Sequence, residues 1–154
     1  MWDKKPTLVT YTRVFLDKSW YWLNDPEIKK LTMTPNFSKI QQEAFFSSLP
    51  RDNYIVWGVL YDGVEIGVAG LKNIKNGSAE YFGFIGEKKY WGRGIFGYLL
   101  NEVIGECKSN DISYLYLYVS YDNSMAIKAY IKNGFKEDCN RIVDGVKYMY
   151  MDIK

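Results

Sequence analysis

The sequence predicts one α/β domain built around a mixed β-sheet. Its 154 residues suit a single ordinary domain, and a content of 47% hydrophobic and 25% charged residues is typical of a globular chain. Asp-Gly and Asn-Gly pairs separate strand-like runs, and glycines bound two amphipathic helical runs in the second half. No repeat or linker-like stretch interrupts residues 1–154, so we expect one domain.

The first third of the chain predicts one strand and two helical segments. Residues 7–15 carry β-branched and aromatic side chains, which favours a strand. Asn24 or Asp25 can cap a helix whose first position suits Pro26, and Ser38 and Gln41 have the spacing of a capping box. The predicted elements are a strand over residues 7–15, a helical segment over 18–31 interrupted at 24–27, and a helix from 38 to about 48.

Two turn signals shape the middle of the chain into an antiparallel meander. Asp62-Gly63 and Asn76-Gly77 are dipeptides typical of two-residue type I′ hairpins. The predicted strands cover residues 54–61, 64–74 and 79–85.

The second half alternates helices and strands. Ile95, Leu99, Val103 and Cys107 recur every four residues, which places them on one apolar helix face. Gly134 suits the left-handed cap of a later helix. The predicted elements are a helix ending near residue 108, a strand over 114–119, a helix from 123 or 124 to 133, and strands over 135–139 and 146–153 around an Asp144-Gly145 turn. The complete order is β-α-α-β-β-β-α-β-α-β-β.

The absence of histidine is the most informative feature of the composition. It excludes Ser-His-Asp and Cys-His catalysis and imidazole-based zinc sites, so we expect carboxylates, tyrosines, backbone amides or a cofactor to act, and no metal. A formal net charge of +2 gives no sign of a nucleic-acid partner, and no apolar run suggests a membrane span. Two cysteines without C-x-x-C spacing favour a reduced, cytoplasmic monomer or homodimer.

The first segment with chemical content runs from Ile85 to Gly97, as a strand, a glycine-rich turn and a helix start. Free N–H groups at a helix N-terminus, with the helix dipole, form a site for a pyrophosphate, and Gly92 and Gly94 let the main chain approach it. The letters also spell a G-x-G-x-x-G dinucleotide fingerprint. That interpretation fails because six residues separate strand and glycines, and Asp111 precedes the next strand. A turn without a ligand is the remaining alternative.

The second segment runs from Asn123 to Phe135, and with the first it resembles the GNAT family of acetyl-CoA-dependent N-acetyltransferases. This segment matches every fixed position of the family motif Asn-x-x-Ala-x-x-x-Tyr-x-x-x-Gly-Phe. The family's acyl-CoA loop, Gln/Arg-x-x-Gly-x-Gly/Ala, corresponds here to Trp91-x-x-Gly94-x-Phe96. Trp91 and Phe96 depart from the usual residues, and Phe96 leaves the amide donor while adding bulk near the pyrophosphate.

The resemblance implies where acetyl-CoA would bind. Its pantetheine would lie where strands 79–85 and 114–119, parallel neighbours in a mostly antiparallel sheet, splay apart. A backbone N–H near Phe84 or Ile85 would polarise the thioester carbonyl. The implied acyl-CoA-binding residues are Phe84, Ile85, Trp91, Gly92, Arg93, Gly94, Phe96, Gly97, Asn123 and Tyr130.

The resemblance also implies two catalytic residues. Tyr130 falls on the tyrosine that protonates the leaving thiolate, and Glu80 could accept the amine proton through water. The alternatives are core packing for Tyr130, a solvated charge for Glu80, and an amine that arrives neutral and needs no base.

The acceptor is expected to be a primary amine of a small molecule, first of all an amino sugar on a nucleotide carrier. Residues 20–27 resemble a Trp-x-Asn-x-Pro segment of bacterial enzymes that acetylate such sugars, which makes Trp22 and Asn24 candidate substrate contacts. Core packing is the alternative for Trp22. The alternative acceptors are a ribosomal protein N-terminus and a polyamine, and Phe96 also motivates a non-catalytic acyl-CoA-binding module.

Overall fold

A computed structural model of the chain describes residues 4–141 and 144–153. A 3-10 turn, Lys88–Tyr90, precedes the fourth helix. No helix in the described ranges combines the length and apolar character needed to cross a membrane. The strands and α-helices are β1 (Thr7–Thr10), α1 (Arg13–Asn24), α2 (Pro26–Leu31), α3 (Lys39–Ser47), β2 (Ile55–Tyr61), β3 (Val64–Lys75), β4 (Ser78–Ile85), α4 (Ile95–Ser109), β5 (Tyr114–Ser120), α5 (Ser124–Lys132), β6 (Lys136–Glu137) and β7 (Val146–Asp152).

The strands form one mixed sheet in the order β1-β2-β3-β4-β5-β7-β6. Of the neighbouring strands in the described chain, β4 and β5 are parallel and the others antiparallel. Asp62 and Gly63 have φ values of 52° and 75°, and Asn76 and Gly77 have 51° and 78°, as type I′ turns require. The predicted fold class, α/β with a mostly antiparallel mixed sheet, is confirmed.

β4 and β5 pair over a short stretch and then diverge. Their parallel register runs from the Ser78–Tyr114 pair to the Glu80–Tyr116 pair. β4 continues to Ile85 and β5 to Ser120 without further mutual pairing. The sheet is therefore splayed between these two strands, as the resemblance implies.

The helices cover the two faces of the sheet unequally. The larger core lies under α4 and α5, where the predicted apolar face of α4 is buried at Ile95, Leu99, Val103 and Cys107. Because side chains alternate along β4, Phe82 and Phe84 point to the opposite face. There they pack against a smaller core of Trp22, Ile28 and Val68 under α1 and α2.

The first predicted strand is wrong beyond its first residues. β1 spans four residues, α1 begins at Arg13, and Phe15 is helical. The Phe15 ring occupies the space beside Gly58, where a Cβ would overlap it. Packing against β2 therefore overrides the strand preference of the aromatic side chain.

The predicted strand over residues 135–139 is also too long, because β6 covers only Lys136–Glu137. Asp138 Oδ1 accepts a hydrogen bond from Asn140 N at 3.0 Å, and such an Asp turn ends the strand. Residues 142 and 143 of the predicted loop lie outside the described residues.

The predicted caps of α2 and α3 are confirmed, whereas the helical segment predicted from residue 18 begins earlier, at Arg13. Asp25 Oδ1 accepts hydrogen bonds from Glu27 N and Ile28 N at 3.0 and 3.1 Å, so it caps α2 and separates it from α1. Ser38 and Gln41 form the reciprocal capping box at the start of α3.

Candidate active site

A cleft of about 530 Å³ opens where β4 and β5 separate. Its walls come from the second half of β4, the end of β5, the glycine loop before α4, one side of α5, and residues 31–35 at the end of α2 and just after it. Because diverging strands leave main-chain N–H and C=O groups without strand partners, one wall offers both donors and acceptors. Lys72 and Arg93 are the charged side chains among its described lining residues, which include no carboxylate.

The glycine loop presents an open helix start to the cleft. Gly92 and Gly94 have φ values of +74° and +72°, in the left-handed region that favours glycine. A Cβ on either residue would meet nothing within 4 Å, so packing within the chain does not require these glycines. α4 begins at Ile95, and the first N–H groups of a helix have no intrahelical partners. Left-handed main chain and free donors together form the geometry of an anion site.

Gly97 has a different surrounding from the other loop glycines and lies outside the described cleft lining. A Cβ on Gly97 would approach Asn133 Oδ1 to 2.9 Å, and Asn133 Nδ2 donates a hydrogen bond to Ala129 O at 2.7 Å. Gly97 therefore lets α4 pack closely against the end of α5. Its contact with acyl-CoA stays a prediction.

Trp91 fixes the loop to the end of β4. Its Nε1 donates a hydrogen bond to Ile85 O at 2.8 Å, and Lys88 Nζ lies 5.8 Å from the centroid of its ring. Trp91 lines the cleft, as do Phe84 and Ile85 on the part of β4 that pairs with β3 but no longer with β5. The residue that departs from the family's Gln or Arg thus ties the strand end to the loop.

Tyr130, the predicted acid, lines the cleft from α5 and belongs to an aromatic cluster with Tyr81, Phe96 and Phe135. The Phe96 and Tyr130 rings meet edge-on with centroids 4.9 Å apart, and Phe135 lies 5.5 Å from Tyr130. Burial raises the pKa of the Tyr130 phenol to about 12. Phe96, the second departure from the family pattern, therefore braces the predicted acid.

Asn123 lines the cleft and caps α5. Its Oδ1 accepts a hydrogen bond from Ala126 N at 3.3 Å. The cap uses the carbonyl oxygen of the side chain and leaves the Nδ2 amide as a donor for a ligand.

Glu80, the predicted base, lies at the last position where β4 pairs with β5, and it is outside the described cleft lining. Its Oε1 accepts a hydrogen bond from Asn73 Nδ2 at 3.1 Å, and its Oε2 lies 3.6 Å from Lys72 Nζ. Lys72 does line the cleft, so this ion pair connects Glu80 to its rim. The structure does not bring Glu80 together with Tyr130, and its role as a base stays a prediction.

Trp22 and Asn24, the predicted substrate contacts, are also outside the described lining of the cleft. Trp22 is 6% exposed, and its Nε1 donates a hydrogen bond to Glu87 Oε2 at 2.6 Å. Asn24 is exposed, and its Nδ2 donates to Trp20 O at 2.7 Å. Trp22 instead lines a separate groove of about 380 Å³, and the substrate roles stay predictions.

Sequence reasoning missed several parts of the cleft, among them Lys72, Tyr81 and residues 31–35. Lys72 and the segment after α2 carry no motif that marks them. Tyr81 could have been found, because strand alternation places it on the same face of β4 as Gly83 and Ile85.

The sequence matches the acetyltransferase (GNAT) family over residues 18–135, and the chain belongs to this family. Membership confirms the predicted class of enzyme, an N-acetyltransferase that uses acetyl-CoA. No curated protein matches the sequence as a whole.

Solved structures share the fold over nearly the whole chain. A domain from Methanocaldococcus jannaschii is 18% identical, with a TM-score of 0.85 and coverage of 97% of this chain and 99% of that one. Spermidine N-acetyltransferase from Vibrio cholerae, solved with CoA and spermine, is 21% identical, with a TM-score of 0.84 and coverage of 97% and 96%. The aminoglycoside acetyltransferase AAC(6')-Ib, solved with paromomycin and acetyl-CoA, is 18% identical, with a TM-score of 0.81 and coverage of 96% and 93%.

Proposed function

We propose that this acetyltransferase acetylates the primary amine of a small molecule, in the first place an amino sugar on a nucleotide carrier. The observation that carries the proposal is the cleft between the splayed strands, which has the glycine loop at one end and Tyr130 in its wall. These are the parts that acyl transfer from a bound thioester needs: an anion site, main-chain donors and a proton donor.

Acetyl-CoA would bind with its pyrophosphate on the N–H groups of Arg93, Gly94 and Phe96. Its pantetheine would lie along the edge of β4 that has no β5 partner. A backbone N–H of Phe84 or Ile85 would then donate to the thioester carbonyl oxygen. One such donor to a developing oxyanion contributes about 3 kcal/mol to catalysis.

Tyr130 would supply the proton that the leaving thiolate takes up, and the proton that the amine loses balances it over the whole reaction. The amine nitrogen attacks the thioester carbon, the C–S bond breaks, and the thiolate of CoA takes the hydroxyl proton of Tyr130. An ordinary thiol has a pKa of about 8.5, so a phenol at about 12 is a poor donor to it in water. Burial disfavours both anions, however, and it raises the pKa of the Cys107 thiol in this chain to about 11. If the CoA sulfur is equally buried in the cleft, the pKa of its thiol would rise to a value close to that of the Tyr130 phenol.

Removal of the amine proton is assigned to Glu80 through water. The Lys72 ion pair supports this assignment, because it places the Glu80 carboxylate next to a residue of the cleft rim. An amine that arrives neutral would need no base, and the two routes differ in their pH dependence.

The charge of the cleft favours the nucleotide-linked sugar over a polyamine. A polyamine carries several ammonium groups, which proteins bind with carboxylates, and the described cleft lining contains none. A nucleotide carrier is anionic, and Lys72 is the charged side chain of the described cleft lining that lies outside the acyl-CoA loop. A ribosomal protein N-terminus remains the second acceptor to test.

The test is CoA release from acetyl-CoA with a panel of amines: a uridine- or thymidine-diphosphate amino sugar, the same sugar without its carrier, spermidine, an aminoglycoside and a ribosomal N-terminal peptide. We expect the nucleotide-linked sugar to give the highest kcat/KM. A higher kcat/KM for spermidine or the peptide would overturn the choice of acceptor. Turnover with none of them would leave acetyl-CoA binding alone, the property of a non-catalytic module.

Phe96 is the observation behind that non-catalytic alternative, because it adds a ring to the acyl-CoA loop. The Phe96 ring packs against Tyr130, so it need not cover the main-chain N–H groups of the loop. Calorimetry with acetyl-CoA, followed by the CoA-release assay, separates a binding module from an enzyme. The cytoplasmic location and the monomeric or homodimeric state stay predictions.

A further inference from the structure

Tyr81 carries a buried hydroxyl that the catalytic scheme above does not use. The residue is 4% exposed and lines the cleft from β4. Its Oη makes no hydrogen bond to any other described residue. Every fully enclosed side-chain nitrogen or oxygen in the described chain does have a partner, so this Oη must border the open space of the cleft.

The position of this hydroxyl is fixed by Gly83. A Cβ on Gly83 would lie 2.6 Å from Tyr81 Oη and 2.9 Å from Val68 O. Glycine at this position therefore leaves room for the hydroxyl beside the main chain of β4. Tyr81 Oη reaches along the strand toward the glycine loop, into the part of β4 that has lost β5 as a neighbour.

Two rings hold Tyr81 in this place. Phe96 lies 6.0 Å from Tyr81 between ring centroids, at an interplanar angle of 64°, and Tyr130 lies 6.4 Å away at 79°. The two tyrosines thus reach the cleft from different elements, one from β4 and one from α5. Because the Tyr81 hydroxyl makes no hydrogen bond within the described chain and borders the cleft, a ligand in the cleft can take the place of water as its partner.

In the binding mode proposed above, the reacting end of acetyl-CoA would be the group nearest to this hydroxyl. The glycine loop takes the pyrophosphate end, so the rest of the molecule extends from the loop toward the point where β4 and β5 first pair, at Glu80 and Tyr116. Gly83 lies between that point and the loop. The acetyl thioester, at the far end of the pantetheine, therefore comes to the level of Gly83 and Tyr81.

We propose that Tyr81 is a further catalytic residue, whose hydroxyl donates a hydrogen bond to the acetyl carbonyl oxygen of acetyl-CoA. It acts together with the main-chain N–H of Phe84 or Ile85, and the pair forms an oxyanion site with one side-chain donor. Tyr130 keeps the separate task of protonating the sulfur. This inference rests on the proposed function, since it assumes that acetyl-CoA occupies the cleft.

The test is Tyr81→Phe, which removes only the hydroxyl oxygen. CoA lacks the acetyl carbonyl, so we expect the dissociation constant of acetyl-CoA to rise about fivefold and that of CoA to stay within twofold, both by calorimetry. We expect kcat with the best amine to fall about thirtyfold, because the bond strengthens as negative charge develops on the oxygen. Difference infrared spectra of carbonyl-labelled acetyl-CoA should show a higher stretching frequency in the variant.

Tyr150→Phe is the matched control, because Tyr150 on β7 lies outside the described cleft lining. It should leave both dissociation constants and kcat unchanged. The thermal unfolding midpoint of Tyr81→Phe should not fall, since no hydrogen bond within the described chain is lost.

Three results overturn the proposal: unchanged affinity for acetyl-CoA, an equal loss for acetyl-CoA and CoA, or an unchanged carbonyl frequency. The affinity comparison needs no turnover, so it decides the role of Tyr81 even if no amine is acetylated and the proposed acceptor fails. A wild-type chain that binds neither acetyl-CoA nor CoA overturns both proposals.

Discussion

The two halves of the cleft are built in different ways. The transfer half, from β4 to α5, packs deeply into the larger core, and α4 alone buries five of its side chains. The acceptor half consists of α1, α2 and residues 32–35, and it covers the other face of the sheet over a smaller core of Trp22, Ile28 and Val68. Main-chain geometry at the glycine loop and at β4 defines the transfer half, whereas side chains form the acceptor half. We therefore expect the transfer chemistry to depend on the first half and the choice of amine on the second.

The halves are joined through the short turn between β4 and the glycine loop. Lys88 Nζ lies 3.0 Å from Asp25 Oδ2 and 2.9 Å from Glu27 Oε1, at the start of α2. The hydrogen bond from Lys88 holds the pKa of Asp25 below its ordinary value. The hydrogen bonds to Glu27 and to Asp25 hold the pKa of Lys88 above its ordinary value. Substitutions in either half, and at Lys88 between them, test whether the first half governs acetyl transfer and the second half governs amine binding.

The largest effect is expected from Tyr130→Phe in the transfer half. Loss of the proton donor should lower kcat about a hundredfold for every amine and leave acetyl-CoA affinity unchanged. Burial raises the Tyr130 pKa to about 12, so the wild-type phenol stays protonated, and we expect no alkaline fall in kcat from this group below about pH 11. Steady-state kinetics from pH 6 to about 11 check both expectations, and a loss confined to one amine would break the comparison.

Gly94→Ala should have the next largest effect. At φ +72° an alanine is strained by about 1 kcal/mol, and its methyl group stands where the ligand would approach. We expect the KM of acetyl-CoA to rise about tenfold with little change in the KM of the amine.

Gly63→Ala is the control for that variant, because Gly63 has φ +75° and a Cβ on it would likewise meet no atom within 4 Å. It lies in the β2–β3 turn, so it should lose similar thermal stability without a change in KM. Equal kinetics for the two variants would contradict a ligand at the loop.

Glu80→Gln should have a smaller effect that depends on pH. If Glu80 removes the amine proton through water, kcat/KM should fall about fivefold at pH 7 and recover as the pH approaches the pKa of the amine. A fall of equal size at every pH would mean that Glu80 serves only its ion pair with Lys72. The measurement is the pH profile of kcat/KM for the best amine.

Lys88→Gln should give the smallest effect, because its ion pairs are exposed. We expect the KM values of acetyl-CoA and of the amine to change by no more than about twofold, and in the same direction, since the residue joins the halves. Lys4→Gln removes a similar exposed pair with Asp62 far from the cleft and should change neither KM. A change in the amine KM alone would assign Lys88 to the acceptor half.

The part of the site that was predictable depends on main-chain geometry. Gly92, Gly94 and the Asn123 cap follow from local rules on left-handed conformation and helix ends, so their spacing in the sequence indicates the loop. The hydroxyl of Tyr81 follows from no local rule. Its place depends on the absence of a side chain at Gly83 and on where β5 diverges, which are properties of the assembled sheet.

The same distinction explains the errors in the fold. The Asp-Gly and Asn-Gly turns are encoded locally and were correct, whereas Phe15 lies in a helix because its ring packs beside Gly58 on a strand far along the chain. Aromatic and β-branched content favours a strand only when nothing distant competes for the side chain.

The splay between β4 and β5 also leaves one edge of β4 without a hydrogen-bonding strand in the free protein. From Tyr81 to Ile85, β4 has only one neighbouring strand, so part of its main-chain amides should exchange hydrogen quickly in the free protein. An acyl-CoA molecule that lies along these amides would supply the hydrogen bonds that β5 does not make there. At a hundred times its dissociation constant, such a ligand raises the free energy of unfolding by about 2.7 kcal/mol. Binding of the co-substrate would thus stabilise the fold. The hydrogen-exchange protection of the β4 amides would then depend on the concentration of acetyl-CoA.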